Sequence, residues 1–229
     1  MLFSFFSKVS HEYEKTGILI IQKSLSEGEN VAGFLLSPCD SIRKCASLDS
    51  PTIVLKAVFL CIFAVDMIRK ATTEDIPAIR AMADVVFRRT YRDILSPEQL
   101  EYMMDMMYSE ESLIRQMEND AFYIEDGQGY ASLRYDGMMD DGRERFHLEK
   151  LYVMPEYQKT GLGRRLFDKI ADEARIASGG NPFRLELNVN RANPALGFYE
   201  HIGMRKDRSG DFPIGSGYYM NDYIMAIDL

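Results

Sequence analysis

Cysteine is scarce in this chain and confined to one end. Cys39, Cys45 and Cys61 are the only three in 229 residues. They show neither a Cys-x-x-Cys pair nor a His/Cys grouping at zinc-like spacing, so no disulfide framework and no metal centre is expected. A covalent thioester on cysteine is excluded from everything beyond residue 61. Long apolar runs are also lacking: the longest, Thr52 to Val65, is broken by Lys56 and falls short of the ~20 residues that a membrane-spanning helix needs. The N-terminus lacks the charged, apolar and small-residue succession of a secretory signal. Basic residues are outnumbered, with a formal charge of -8, carried almost wholly from Met67 onward. Such a surface repels nucleic acid and favours cationic small molecules. A hydrophobic fraction of 46% is ordinary for a globular protein. The expectation is a cytoplasmic protein with no nucleic-acid partner and no membrane partner for residues 67–229.

Composition changes near Met67. Residues 1–66 combine a Phe-rich start, a Ser/Gly/Asn stretch at Ser24 to Asn30 and the interrupted apolar run, without helical or strand periodicity. They read as an upstream extension, with Met67 as the expected start of the working protein, or as a membrane or interfacial anchor; the working domain is expected at 67–229.

From Met67 the patterning is orderly. Met67 to Ala71 suits a short strand. Thr72 or Thr73 then caps a helix whose apolar residues Ile76, Ile79, Met82, Val86 and Phe87 recur at 3.6 spacing. Ser96-Pro97-Glu98-Gln99 is a capping box opening a Met-rich helix to about Met107, and Ser109 begins another. Ala121 to Glu125 and Tyr130 to Tyr135 read as strands around a glycine-bearing hairpin turn, with Asp136 to Gly142 as the tip before a third strand, Arg145 to Met154. A helix to Ala177 follows, with Leu166, Ile170, Ala174 and Ala177 on one face. Phe183 to Val189 alternates as a half-buried strand. Pro194 to Ile202 forms a short helix ended by Gly203, and Met204 to Asp207 pairs with Tyr218 to Ile227. Strands, helix and strands then surround one mixed sheet.

Between the third strand and its helix lies Gln158-Lys159-Thr160-Gly161-Leu162-Gly163. Two glycines and several free N–H groups at the positive end of a helix suit an anion such as a pyrophosphate, although a tight turn alone can recruit such glycines. About 30 residues on comes a second motif, Asn193-Pro194-Ala195-Leu196-Gly197-Phe198-Tyr199-Glu200-His201-Ile202-Gly203. The Gly161-x-Gly163 loop lacks the Gly-x-Gly-x-x-Gly spacing of a dinucleotide fold.

With both motifs in this order and separation, Met67 to Leu229 resembles the GNAT superfamily of acyl-CoA-dependent N-acetyltransferases. The resemblance implies an α/β (α+β) fold with a mixed, mostly antiparallel sheet, helices on both faces and a splayed strand pair. It implies acetyl-CoA as cosubstrate, its pyrophosphate held by Gln158, Lys159, Thr160, Gly161, Leu162, Gly163 and Arg164. The pantetheine arm would lie against the main chain of Leu151 and Val153, like an added strand, where a backbone N–H can steady the oxyanion. Arg164 and Arg165 add positive charge or form a solvated helix face. Asn193 stands near the pantetheine or serves as a helix cap; it precedes Ala195 by two residues where three is commoner in the family.

Tyr199 is the expected general acid, a phenol able to protonate the departing thiolate; the alternative is a ring packed beside Phe198. Glu149 is the expected base, with His147 second, and strand alternation puts both on the face of Leu151 and Val153 unless a bulge intervenes. Either can instead be a salt-bridged strand residue. His201 reads as a surface residue. The acceptor, a small cationic amine or a peptide, is expected between the helices of Thr73 to Met107 and the loops Asp136 to Gly142 and Asp211 to Tyr219, where Asp136, Asp140, Asp141, Asp211 and Asp222 are acidic. A homodimer is compatible with this reading, and a non-catalytic CoA-binding module of the same fold is the alternative function.

Overall fold

The computed structural model describes residues 68–229; the expected boundary at Met67 and the extension before it lie outside the described residues. Seven strands, β1 (Arg69–Lys70), β2 (Ala121–Glu125), β3 (Gly129–Met138), β4 (Glu144–Val153), β5 (Phe183–Asn190), β6 (Arg205–Gly215) and β7 (Tyr218–Asp228), form one sheet. Its order is β1-β2-β3-β4-β5-β7-β6. Only β4 and β5 run parallel; all other neighbours are antiparallel. Helices α1 (Ile76–Tyr91), α2 (Pro97–Tyr108) and α3 (Glu110–Met117) cover one face, and α4 (Leu162–Ala177) with α5 (Leu196–His201) covers the other.

Local chemistry accounts for the helix starts. The Thr72 N–H donates to Asp75 Oδ2 at 2.8 Å, and Asp75 also receives Arg69 at 2.6 and 2.9 Å. That guanidinium, more than any other cause, draws the Asp75 carboxyl down to about 2. In α1 every apolar residue anticipated from the spacing is buried, joined by Ala83 and Tyr91. Ser96 Oγ accepts the Gln99 N–H at 3.2 Å, but the reciprocal half of the capping box does not form. The Gln99 side-chain amide donates instead to the Tyr219 carbonyl at 2.9 Å.

That contact is one stitch in a strap across the molecule. Tyr102 Oη donates to the Ile214 carbonyl at 2.8 Å, and the Tyr102 and Tyr218 rings lie 5.4 Å apart. The tip of the β6–β7 hairpin is thereby fastened to α2. Gly215 has φ +97, and a Cβ there would stand 2.3 Å from Tyr102 Oη, so both the turn and the close approach require glycine.

Several boundaries differ from expectation. β3 runs on to Met138, which shrinks the expected tip. β6 extends to Gly215, beyond the expected Asp207 and into a segment read as loop. Its first five residues are exposed, it holds Gly210 and Pro213, and it is an edge strand, so only Phe212 and Ile214 near its end give an apolar signal. Ala177 is exposed, because the buried stripe of α4 runs through Leu166, Phe167, Ile170, Ala171 and Ala174. β5 is buried on both faces: Glu186 lies under Arg208, which donates to it at 2.7 and 3.2 Å.

Candidate active site

The parallel ladder between β4 and β5 is short. It spans Glu144 to His147 against Phe183 to Glu186, and both strands then continue unpaired with each other, to Val153 and Asn190. A bulge accompanies the opening. Ser132 pairs with Lys150 and Leu133 with Leu148, leaving Glu149 without a partner. The extra residue shifts the alternation. Leu148, Leu151 and Val153 face the α4 side, whereas Lys150 and Tyr152 face the side of α1 to α3. Glu149 pairs with Arg134, which sits across from His147. Glu149 and His147 therefore share a side, but not with Leu151 and Val153, and the expected common face is corrected by the bulge.

Glu149 belongs to a charged group at this point. Arg134 also donates to Asp136 at 2.8 Å, and His147 Nδ1 lies 3.5 Å from Asp136. The His147 hydrogen bond and then Arg134 hold the Asp136 carboxyl well below the usual carboxylate range. Lys150 is buried, with Nζ 2.5 Å from Gln116 Oε1. Burial pushes its ammonium pKa down.

The glycine loop curls through two left-handed residues, Lys159 at φ +65 and Gly161 at φ +91, before α4. The first N–H of this region to meet a backbone acceptor is that of Arg165, on the Gly161 carbonyl at 3.1 Å. Those of Thr160 to Arg164 find none among the described residues, as expected of an uncapped helix start. Gln158 has a different part: its N–H bonds the Pro155 carbonyl at 3.3 Å and its side chain the Val153 carbonyl at 3.2 Å. Val153 thus turns its carbonyl away from β3, and the two-residue period gives Leu151 the same orientation. Gly163 packs against Phe198 and Val153, joining loop, α5 and β4. Arg165 is bound to the buried Glu125 at 2.7 Å, and Arg164 forms an exposed pair with Asp168 at 2.8 Å.

On α5, Tyr199 is buried, with its ring 5.3 Å from Phe198, and its hydroxyl has no hydrogen-bond partner among the described residues. Burial, and then neighbouring Tyr91, raise its pKa. Asn193 Oδ1 accepts the Ala195 N–H at 2.9 Å, the capping geometry, while its Nδ2 donates to Tyr91 Oη at 3.4 Å. His201 is exposed.

Sequence reasoning did not single out Tyr91, Arg134 or Asn188 as functional neighbours, and it placed Asp222 only among several acidic residues of the acceptor side. Asp222 is buried beside Asn188, whose Nδ2 lies 3.4 Å from Asp222 Oδ2. One signal could have set it apart from the others: Met220, Asp222 and Ile224 alternate onto one buried stripe, and an acid there is out of place. A further cavity of about 460 Å³ lies between Arg184, Gly203, Arg205, Lys206 and Asp228. Among the described residues no helix is long and apolar enough to cross a membrane.

Comparison with known proteins agrees with this geometry. Residues 73–212 match the model of the acetyltransferase (GNAT) domain. An uncharacterized N-acetyltransferase of Mycobacterium bovis is 32% identical over 102 residues, which is 44% of this chain and 60% of that protein; relatives in Mycobacterium tuberculosis match equally. The chain thus spans less than two thirds of those curated relatives. Among solved structures, the PaiA N-acetyltransferase of Thermoplasma acidophilum, in complex with coenzyme A, is 24% identical, with a TM-score of 0.55 over 71% of this chain and 98% of that one. A GCN5-related N-acetyltransferase of Rhodopseudomonas palustris gives a TM-score of 0.57 at 21% identity, over 71% and 94%. A ribosomal-protein-alanine N-acetyltransferase of Brucella melitensis gives 0.52 at 20%, over 71% and 99%. These structures share the fold, and with the family model covering more than half of its length, the chain belongs to the GNAT acetyltransferase family.

Proposed function

We propose that this protein transfers the acetyl group of acetyl-CoA to the primary amine of a small cationic molecule or peptide, by direct attack with both substrates bound. The observation that carries this reading is the short β4–β5 ladder, which opens main-chain groups of Leu151 and Val153 beside a loop of unpaired N–H donors. These are the two features that a long cofactor with a pyrophosphate at one end and an amide-bearing arm would use. Thr160 to Arg164 hold the pyrophosphate through N–H groups, and Gln158 braces the loop on β4. Asn193 orders the entry to α5, so that its part toward the pantetheine arm is to place Tyr199.

Acetyl-CoA supplies the thioester. Tyr199, a buried residue whose hydroxyl has no hydrogen-bond partner among the described residues, gives a proton to the thiolate as it leaves. An ammonium must first lose a proton to become a nucleophile, and Glu149, in its salt bridge with Arg134, is one group able to receive it. The peptide half of the reading draws support from the ribosomal-protein-alanine N-acetyltransferase of the same fold.

A thiol-release assay against an amine library, beside calorimetry with acetyl-CoA and with NAD, tests the reading. Heat with acetyl-CoA together with thiol release on at least one amine is expected. Binding without release for any amine would favour the non-catalytic module, and binding of NAD alone would reject both.

A further inference from the structure

Five acidic residues mark the acceptor side of the sequence, but the structure does not leave them equivalent. Asp136 is neutralised by Arg134 and His147, Asp141 by Arg143 at 2.7 Å, and Asp211 by Arg191 at 2.8 Å. Asp140 is exposed at the β3–β4 turn. Asp222 alone of the five is buried, at 5% exposure, and it makes no ion pair among the described residues. Its Oδ1 is enclosed with no hydrogen-bond partner, and Oδ2 has only the 3.4 Å contact from Asn188.

A buried carboxyl with an unsatisfied oxygen is costly, and an uncompensated one in a native fold calls for a partner that the chain itself does not supply. The surroundings say where that partner would come from. Asp222 sits on β7 opposite Asn190 of β5, beyond the point where β4 has left β5. Asn188, its neighbour, is exposed on the same strand. Across from it is Tyr91, the last residue of α1; burial raises that hydroxyl's pKa and the charge of Asp222 adds to it. Tyr91 in turn receives Asn193 and acts on Tyr199. The remaining charged neighbour, Arg191, is turned to the Gly210 carbonyl and Asp211.

We propose that Asp222 is the acceptor-binding carboxylate: it holds the primary ammonium of the acceptor and takes the first of the two protons that the nitrogen gives up. This rests on the transferase reading above. The amine nitrogen then bonds to the acetyl carbon as the carbon–sulfur bond breaks; Tyr199 gives its proton to the departing thiolate and is restored by the second proton of the nitrogen, and Asp222 returns its own to solvent. An ammonium is the ligand class that fits, being a compact donor of several hydrogen bonds to an acceptor-only site. Asn188 is a positioning residue, holding the carboxylate through its one hydrogen bond, at Oδ2.

The full-length protein and its Asp222→Asn, Asn188→Ala and Glu149→Gln variants would be assayed by thiol release with n-butylamine, 1,4-diaminobutane and an alanine-terminated tripeptide from pH 6 to 10, with acetyl-CoA affinity measured by calorimetry. Asp222→Asn should raise the amine KM by about 10-fold or more, corresponding to one lost charge-assisted contact, and displace the acid limb of kcat/KM, while acetyl-CoA affinity stays within about twofold. Asn188→Ala should move the same limb less. An Asp222→Asn protein with unchanged KM and pH profile overturns the proposal, as does a Glu149→Gln protein that alone shows both changes. Wild-type protein that uses none of the amines, or that fails to bind acetyl-CoA, brings down the transferase reading and the proposal with it, whereas unchanged Asp222→Asn kinetics in a working enzyme overturn the proposal alone. Melting of each variant at pH 7 separates these outcomes from misfolding.

Discussion

At the scale of single residues, Tyr199 and Asp222 make different predictions. Tyr199→Phe removes a proton donor and leaves the ring, so kcat should fall by about 100-fold, the lower end of general-acid contributions, with acetyl-CoA affinity unchanged by calorimetry. Full turnover would mean that the ring only packs beside Phe198. For Asp222, burial raises the carboxyl pKa. Its contribution to stability is therefore complete below the unfolded pKa and is lost as pH rises through the folded one. Asparagine has no such loss, so the melting temperature of Asp222→Asn should gain on that of wild type as pH rises from 4 and level off once the folded carboxyl has ionised. A constant difference across that range would contradict the assignment.

Elements show what sequence can and cannot disclose. The glycine loop, Tyr199 and the apolar stripes of α1, α4 and β5 were legible because each has a local cause: a turn needing positive φ, a motif, or a period. The side of β4 on which Glu149 lies was not, since a bulge is set by pairing with β3 and leaves no mark on the residues themselves. β6 was cut short for a related reason, as an exposed edge strand has little apolar period to read. The strap and the pairing of Asp222 with Asn188 join residues more than 30 positions apart, beyond any local signal. Two substitutions probe these elements. Gly161→Ala forces a side chain to φ +91 and should cost about 1 kcal/mol in stability, with weaker acetyl-CoA binding by calorimetry. Tyr102→Phe deletes the bond to the Ile214 carbonyl and should cost about 1 kcal/mol by denaturant titration, with faster amide exchange confined to the β6–β7 tip.

Among the described residues, 68–229, a seven-stranded sheet carries a hydrophobic core on each face. We propose on that basis that a protein beginning at Met67 folds and keeps its activity. Circular dichroism and thiol release on the shortened chain would check this; aggregation or lost turnover would show that residues 1–66 take part. The seven strands also divide into two arms, β1 to β4 and β5 to β7, and the slit between them has a floor and a ceiling. At one end the arms share four parallel residue pairs, and at the other the strap of Gln99, Tyr102 and Tyr218 ties α2 to the hairpin. Such an arrangement behaves as a closed frame and not as a wedge: any guest that widens the slit loads both ends at once. The end held by two side-chain hydrogen bonds and one ring pair is the weaker, so a guest that widens the slit is expected to strain the strap before the ladder.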